Sequence, residues 1–192
     1  ENYGTTTKDL SGNNNNGTLY NFNWTATSGW VDGKVGKALN FDGVDDYVGR
    51  TLSESLRPKR ITFSFWWRAQ STGKYQYIID TNDDSYAYGY TIQVNPALTG
   101  YYITLGGVAG DKFTSFSFTN GNWYNFSITY DGLYIITYIN GIRQSIFSLT
   151  GNPDITYSGG AFNVGKRNSH GYFTTGLIDE VRIYNRALSD QE

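Results

Sequence analysis

Residues 176–189, GLIDEVRIYNRALS, alternate in a way that predicts a β-strand near the end of the chain. In a regular strand, Asp179 would share one face with three aliphatic side chains, Leu177, Val181 and Ile183. A carboxylate on a core-facing position is costly unless a cation, backbone N–H groups or a metal ion compensates its charge. The pattern therefore predicts a partner for Asp179 elsewhere in the chain.

The composition of the 192-residue chain favours strands and turns over helices, because it is rich in aromatic residues, Gly, Asn, Ser and Thr. Only 17% of the residues are charged and the net charge is −2, so we expect no surface for nucleic acid. No apolar run is long enough for membrane insertion. The absence of Cys excludes disulfides, thiol catalysis and thiolate metal sites.

Residues 61–68, ITFSFWWR, show the clearest strand alternation in the chain. Their pattern predicts a central strand that turns Ile61, Phe63, Phe65 and Trp67 towards the core. Turn dipeptides separate the other short strands, and only residues 185–192 could begin a helix. Together these features predict an all-β fold, an antiparallel two-sheet jelly-roll sandwich.

One turn signal, Asp42-Gly43, lies between the apolar residues of segments 39–41 and 47–48. An Asp-Gly pair between two short apolar strands is typical of a β-hairpin. We therefore expect these two strands to pair with each other.

Three stretches resemble the signature blocks of bacterial and archaeal laminin G-like domains, members of the concanavalin A-like lectin/glucanase superfamily. They are ALNFDGVDDYV at 38–48, the pair YNFSITYDG at 124–132 and YINGIRQ at 138–144, and the closing GLIDEVRIYNRALS. The opening KDLSGNNNNGTL at 8–19 is similar to the turn that often begins such domains. The resemblance implies one concanavalin A-like domain over residues 1–192, excised from a larger extracellular or cell-surface protein.

The resemblance also implies a structural calcium ion near the chain termini. Calcium prefers carboxylate, amide and backbone oxygens. Asp9, Asn14 and Asn16 in the first loop could bind it with Asp179 if the first and last strands are neighbours, as the resemblance implies. The alternative is that Asp9 caps its own turn, while Asp179 accepts hydrogen bonds from backbone amides or from Arg60.

A further acidic cluster, Asp42, Asp45 and Asp46, lies at the Asp-Gly turn. Asp and Gly are the residues that such a turn requires, so we expect turn hydrogen bonds rather than a metal site there. Zinc is not predicted, because the chain has one His and no Cys.

The sequence lacks the catalytic patterns of this superfamily, and we predict that the protein is not an enzyme. Its glycosidases carry a Glu-x-Asp-x-x-Glu strand motif, which is absent here. Neighbouring acidic residues on a strand, such as Asp179 and Glu180, point to opposite faces and cannot flank one substrate. The superfamily's alginate lyases use Arg, Gln, His and Tyr, and the lone His170 lies in a Gly/Ser/Asn loop.

Sugars present apolar C–H faces and hydroxyl edges, so their binding sites combine a flat aromatic ring with a few polar groups. On the polar faces of the strands the candidates are Trp66, Arg68, Gln93 and Tyr102, which could line a concave sheet. On loops they are Tyr86, Tyr88, Arg167, Asn168, His170 and Tyr172, which could form a rim. Trp24 and most other large aromatic side chains we assign to core packing.

Two functions are compatible with these residues. The first is a carbohydrate-binding module that recognises a polysaccharide or other glycan. The alternative is an adhesion or spacer module of a cell-surface protein, which would recognise a protein partner and have no sugar site.

Overall fold

The computed structural model describes residues 4–81, 87–168 and 170–192. The strands, in chain order, are β1 Thr6–Thr7, β2 Gly17–Tyr20, β3 Gly29–Asp32, β4 Lys37–Asp42, β5 Tyr47–Thr51, β6 Ile61–Arg68, β7 Gln76–Asp80, β8 Tyr90–Val94, β9 Gly100–Leu105, β10 Ala109–Ser115, β11 Trp123–Tyr130, β12 Tyr134–Ile139, β13 Ile142–Ser148, β14 Ala161–Val164 and β15 Thr175–Tyr184. Glu54–Leu56 forms a single 3-10 turn, and residues 185–192 form bends and turns rather than a helix. Among the described residues, no helix has the length and apolarity needed to cross a membrane.

The strands form two antiparallel sheets, which confirms the predicted jelly-roll sandwich. The eight-stranded sheet has the order β1-β2-β5-β14-β7-β8-β9-β10, and the seven-stranded sheet has the order β13-β12-β11-β6-β15-β4-β3. Each sheet has an inner face that packs on the other sheet and an outer face that points away from it. This division follows from the strand alternation and decides which side chains are available to a ligand.

The core is aromatic, and β6 lies at its centre. As predicted, Ile61, Phe63, Phe65 and Trp67 are fully buried, and β6 pairs with both β11 and β15. Phe63 packs edge to face on Tyr90 of the opposite sheet, with ring centroids 4.9 Å apart. Burying each such side chain contributes roughly 1.5–3 kcal/mol to folding. Not every aromatic residue joins this core, because Trp24, which we expected there, is 49% exposed.

The predicted hairpin around Asp42-Gly43 is wrong. The turn exists, but β4 pairs with β3 and β15 in the seven-stranded sheet, whereas β5 pairs with β2 and β14 in the eight-stranded sheet. Phe41 and Val48 reach the same core from opposite sheets. The turn therefore carries the chain from one layer of the sandwich to the other.

The predicted alternation of the last strand is wrong as well. Pairing between β15 and β6 shifts by one residue between Asp179 and Arg182, and Glu180 adopts a φ of 52°. Such an inserted residue is a β-bulge, and it changes the face to which later side chains point. Ile178 and Ile183 both join the core, whereas Asp179 pairs with Trp66 on the outer face.

Candidate functional site

A cavity of about 290 Å³ lies on the outer face of the eight-stranded sheet. Its lining combines aromatic rings with an amide, a guanidinium and a carboxylate, and we call it the tyrosine cavity. The lining residues are Tyr75, Tyr77, Gln93, Tyr102, Asp111, Arg167 and Tyr172.

Three neighbouring strands form the floor of the tyrosine cavity. Tyr77 of β7 pairs with Gln93 of β8, which in turn pairs with Tyr102 of β9. Residues next to each of them in sequence, such as Ile92 and Ile103, are fully buried in the core. The alternation of a strand therefore directs all three floor side chains outward.

Gln93 brings a polar amide group to this floor. Its side chain lines the cavity although the residue is only 4% exposed. No hydrogen bond joins its amide to another of the described residues. The amide nitrogen and oxygen are not among the fully buried, unpartnered side-chain atoms of the described residues, so they face the cavity and can bond a ligand that enters it.

Tyrosine rings form the walls. The rings of Tyr75 and Tyr102 lie 6.2 Å apart, and those of Tyr77 and Tyr172 lie 5.8 Å apart, measured between centroids. Burial raises the pKa of the Tyr102 hydroxyl, and the neighbouring Tyr75 raises this pKa further. The hydroxyl is therefore protonated at neutral pH and can both donate and accept a hydrogen bond.

Two opposite charges complete the cavity. The guanidinium carbon of Arg167 lies 5.2 Å from the centre of the Tyr77 ring, a cation–π distance that holds the side chain over the ring. Asp111 accepts a hydrogen bond of 2.5 Å from the Thr104 hydroxyl. The cavity thus offers both donors and acceptors beside flat aromatic faces.

The structure brings together part of the predicted ligand set. Tyr102, Arg167 and Tyr172 meet in the tyrosine cavity, with Gln93 beside them. Sequence reasoning missed Tyr75, Tyr77 and Asp111. Tyr77 lies in a short strand whose next two residues, Ile78 and Ile79, are both in the core, so only the pairing of β7 with β8 shows that it lies beside Gln93.

The prediction that Trp66 and Arg68 share a surface with Tyr102 is wrong, because β6 and β9 belong to different sheets. Trp66 lies on the outer face of the seven-stranded sheet, where the Lys34 ammonium is 4.9 Å from its ring centre. The Arg68 guanidinium donates a 2.8 Å hydrogen bond to the Gly121 carbonyl. This pair therefore lies on the opposite outer face of the sandwich.

Two further loop candidates, Tyr88 and His170, do not line the tyrosine cavity. Tyr88 is 40% exposed in the loop before β8. His170 is exposed, and its ring centre lies 6.4 Å from that of Tyr172. Tyr86 lies outside the described residues.

The predicted calcium set is not assembled. The predicted calcium site requires the first and last strands to be neighbours, but β1 lies in the eight-stranded sheet and β15 in the seven-stranded sheet. Asp9 instead accepts hydrogen bonds from the amides of Ser11 and Asn15, at 2.9 and 2.8 Å. Asn16 accepts one from the Asp9 amide, and the Asn14 carbonyl accepts one from Arg50. These residues hold their own loop together.

Asp179 has the alternative partner that the sequence left open, a backbone amide. Its Oδ2 accepts a 2.9 Å hydrogen bond from the Val35 amide in the loop between β3 and β4. That loop approaches so closely that a Cβ on Gly33 would lie 2.6 Å from the same oxygen. Arg60 is engaged elsewhere, with Asp154 and Asn152.

The turn of Asp42, Asp45 and Asp46 shows the expected turn hydrogen bonds. Asp42 accepts a bond from the Val44 amide, and the buried Asp46 accepts bonds from the Asp42 amide and the Ser28 hydroxyl. One carboxylate oxygen of each of the three acids lies within 4.8 Å of the others, so they could share a cation. Burial raises the pKa of Asp46, and the negative charges of Asp42 and Asp45 raise it further. The hydrogen bonds from the Ser28 hydroxyl and the Asp42 amide lower this pKa, but the net shift is upward.

Comparison with known proteins places the fold in a family. The model of a laminin G-like family, described as the concanavalin A-like lectin/glucanases superfamily, matches residues 42–192. Among curated proteins, none matches this sequence significantly.

Solved structures with a similar fold share little sequence with the chain. The binding domain of Paraclostridial Mosquitocidal Protein 1 is 21% identical, with a TM-score of 0.71 over 96% of this chain and 47% of that one. A candidate carbohydrate-binding protein from Bacteroides ovatus is 15% identical, with a TM-score of 0.65 over 80% and 44%. Domain 4 of an extracellular arabinanase from Geobacillus stearothermophilus, solved with arabinotriose, is 23% identical, with a TM-score of 0.58 over 84% and 77%. The chain thus spans less than half of the first two proteins.

Replacing Asp179 by Ala should lower the free energy of unfolding by about 1–3 kcal/mol, because the hydrogen bond between the Val35 amide and this charged, 6% exposed carboxylate would be lost. The matched control is Asp32→Ala at the end of β3, whose carboxylate is exposed and pairs with Lys37. We expect that change to cost at most about 1 kcal/mol. Urea unfolding measures both, and equal losses would contradict a specific role for Asp179.

The raised pKa of Asp46 predicts a pH dependence of stability. The folded protein holds this proton more tightly than the unfolded chain, so its stability falls as the pH rises from the ordinary Asp pKa through the raised one. Asp46→Asn should remove that fall. The stability of the variant relative to the original protein should therefore increase between about pH 3 and pH 7 in urea unfolding. A difference that does not change with pH would contradict the assignment.

Proposed function

The chain belongs to the concanavalin A-like lectin/glucanases superfamily as a laminin G-like domain, and on that basis we propose that it is a non-catalytic carbohydrate-binding module. The observation that carries this proposal is the tyrosine cavity, with the Gln93 amide at its floor. Membership of the family alone would not suffice, because one fold serves many functions and function depends on the site.

The cavity has the chemistry that a sugar requires. Tyr102 and Tyr172 offer aromatic faces for the C–H groups of a sugar ring. The Gln93 amide, the Arg167 guanidinium and the Asp111 carboxylate offer donors and acceptors for its hydroxyl groups.

The same lining argues against glycoside hydrolysis. Glycosidases of the usual types place two carboxyl groups on either side of the scissile bond. Of the described residues that line the tyrosine cavity, Asp111 alone carries a carboxylate. The site therefore supports binding rather than bond cleavage.

Two of the similar structures are consistent with this function. One is described as a candidate carbohydrate-binding protein, and another is a domain of an extracellular arabinanase that was solved with arabinotriose. By extension, we propose that this chain is a module of a larger extracellular or cell-surface protein. If no glycan binds, the alternative function is favoured, in which the chain is an adhesion or spacer module that recognises a protein partner.

Tyr102→Ala should weaken glycan binding about tenfold or more, because it removes an aromatic face and a hydroxyl from the cavity. The ligand is first identified by screening the full chain against plant, algal and host polysaccharides, and its affinity is then measured by calorimetry. Tyr134→Ala is the matched control, since Tyr134 is 38% exposed on β12 of the other sheet.

Trp66→Ala tests the opposite outer face, where two of the residues predicted from sequence lie. We expect it to leave the affinity unchanged. A loss with Trp66→Ala but not with Tyr102→Ala would move the site to the seven-stranded sheet. A folded protein that binds no polysaccharide would favour the adhesion or spacer function.

Calcium, which the family resemblance implies, stays a prediction. Asp9, Asn14, Asn16 and Asp179 do not fit it, whereas the carboxylates at Asp42, Asp45 and Asp46 supply the oxygen ligands that calcium prefers. If calcium binds there, an ion concentration a hundredfold above its Kd should stabilise the protein by about 2.7 kcal/mol. Thermal unfolding with calcium and with a chelator measures this effect, and Asp45→Asn should reduce it. An unchanged midpoint would count against the ion.

A further inference from the structure

We propose that a second cavity extends the tyrosine cavity into one groove, and that this groove binds a linear acidic polysaccharide across the eight-stranded sheet. This inference rests on the proposed carbohydrate-binding function and goes beyond it, because it specifies the length and the charge of the ligand. It follows from the position of the second cavity, from the segment that lies between the two, and from the charges that line them.

The second cavity has a volume of about 270 Å³ and lies on the same outer face. Its floor belongs to β2, β5 and β14, where Tyr20 pairs with Tyr47 and Gly49 pairs with Asn163. We call it the lysine cavity after Lys166, which lines it. Gly49 leaves the floor between Tyr47 and Asn163 without a side chain.

The lysine cavity contains an aromatic platform. The rings of Tyr20 and Tyr47 stack 4.6 Å apart with an angle of 9° between their planes. Tyr20 is 41% exposed. One sugar ring of a polysaccharide could therefore pack on this platform while another sugar of the same polysaccharide packs on the rings of the tyrosine cavity.

One short segment, residues 166–168, connects the two cavities. The Lys166 ammonium lies 4.2 Å from the centre of the Tyr47 ring, and the guanidinium carbon of Arg167 lies 5.2 Å from that of Tyr77. Consecutive residues thus place one cation over a tyrosine of each cavity. The Asn168 amide donates a 2.8 Å hydrogen bond to the buried Asp80, which holds the segment on the sheet.

The two cavities together are longer than one sugar ring. The strands that carry them are contiguous in the sheet, in the order β2-β5-β14-β7-β8-β9. Four strand spacings separate β5 from β9, which corresponds to about 19 Å. An occupant that fills both cavities is therefore an extended chain.

The charge of the groove favours an acidic chain. Arg50 and Lys166 line the lysine cavity, which has no acidic residue among its described lining, and neither forms an ion pair with a described carboxylate. In the tyrosine cavity Arg167 accompanies Asp111, which already bonds Thr104. Among the described lining residues the groove thus carries three cations and one carboxylate, in a chain whose net charge is −2. Carboxylate or sulfate groups on a polysaccharide would complement it.

The test uses the full chain and three series of oligosaccharides of increasing length, with calorimetry as the readout. Oligogalacturonides carry carboxylates, sulfated galactan oligosaccharides carry sulfates, and arabino-oligosaccharides are neutral. We expect the affinity to rise with length in an acidic series until the ligand spans both cavities, and to fall when NaCl is added. The series that binds shows whether the acidic group is a carboxylate or a sulfate.

Lys166→Gln should weaken binding of the long acidic ligands about tenfold and leave short ligands, held in the tyrosine cavity, unaffected. Lys34→Gln is the matched control, since Lys34 lies over Trp66 in a similar cation–π contact on the opposite outer face. Tyr102→Ala should weaken short and long ligands alike.

Two outcomes would overturn the inference while leaving the carbohydrate-binding function intact. One is that neutral ligands bind as tightly as acidic ones of the same length, with binding still dependent on Tyr102. The other is that Lys166→Gln behaves like Lys34→Gln. If the folded protein binds none of the three series and no other polysaccharide, the proposed function fails and the inference fails with it.

Discussion

The contact between aromatic side chains of opposite sheets is the constraint on which the rest of this structure depends. Phe63 packs against Tyr90, and Phe126 packs against Tyr101 at a centroid distance of 5.3 Å. Once these rings occupy the inner faces, strand alternation directs their neighbours outward. Gln93 and Tyr102 point to the outer face of their sheet in this way, so the core that stabilises the fold also determines which residues can meet a ligand.

The sequence was informative where a single strand carries its own pattern. The alternation of β6 predicted a central strand correctly, because all four of its core residues follow a regular period of two. It was less informative where a β-bulge or the pairing of distant strands determines the face or the sheet to which a residue belongs. The bulge at Glu180 adds one residue that no periodicity reveals, so Ile178 and Ile183 both face the core while Asp179 lies on the outer face. The Asp42-Gly43 turn has the same local chemistry whether its strands pair or separate into two sheets.

The candidate site shows the same limit. Tyr102, Arg167 and Tyr172 were recognisable as polar or loop-borne residues of suitable chemistry. Their partners Tyr75, Tyr77 and Asp111 come from other parts of the chain and become neighbours only through the order of β7, β8, β9 and β10 in the sheet. Trp66 and Arg68 had equally suitable chemistry but belong to the other layer. Candidate binding residues can therefore be identified from the sequence by their chemistry. Assigning each of them to one of the two outer faces requires the order of the strands in the sheets.

The separation of β4 from β5 has a consequence for the order in which the protein can be completed during synthesis. Each strand has one partner made early, β3 or β2, and one made late, β15 or β14. Both sheets therefore keep an open edge in their N-terminal part until the last strands have left the ribosome. Unpaired edges invite pairing with other chains, and such long-range pairing is slow to form. The nascent protein thus depends on its final strands to close both layers, and until then it is vulnerable to aggregation.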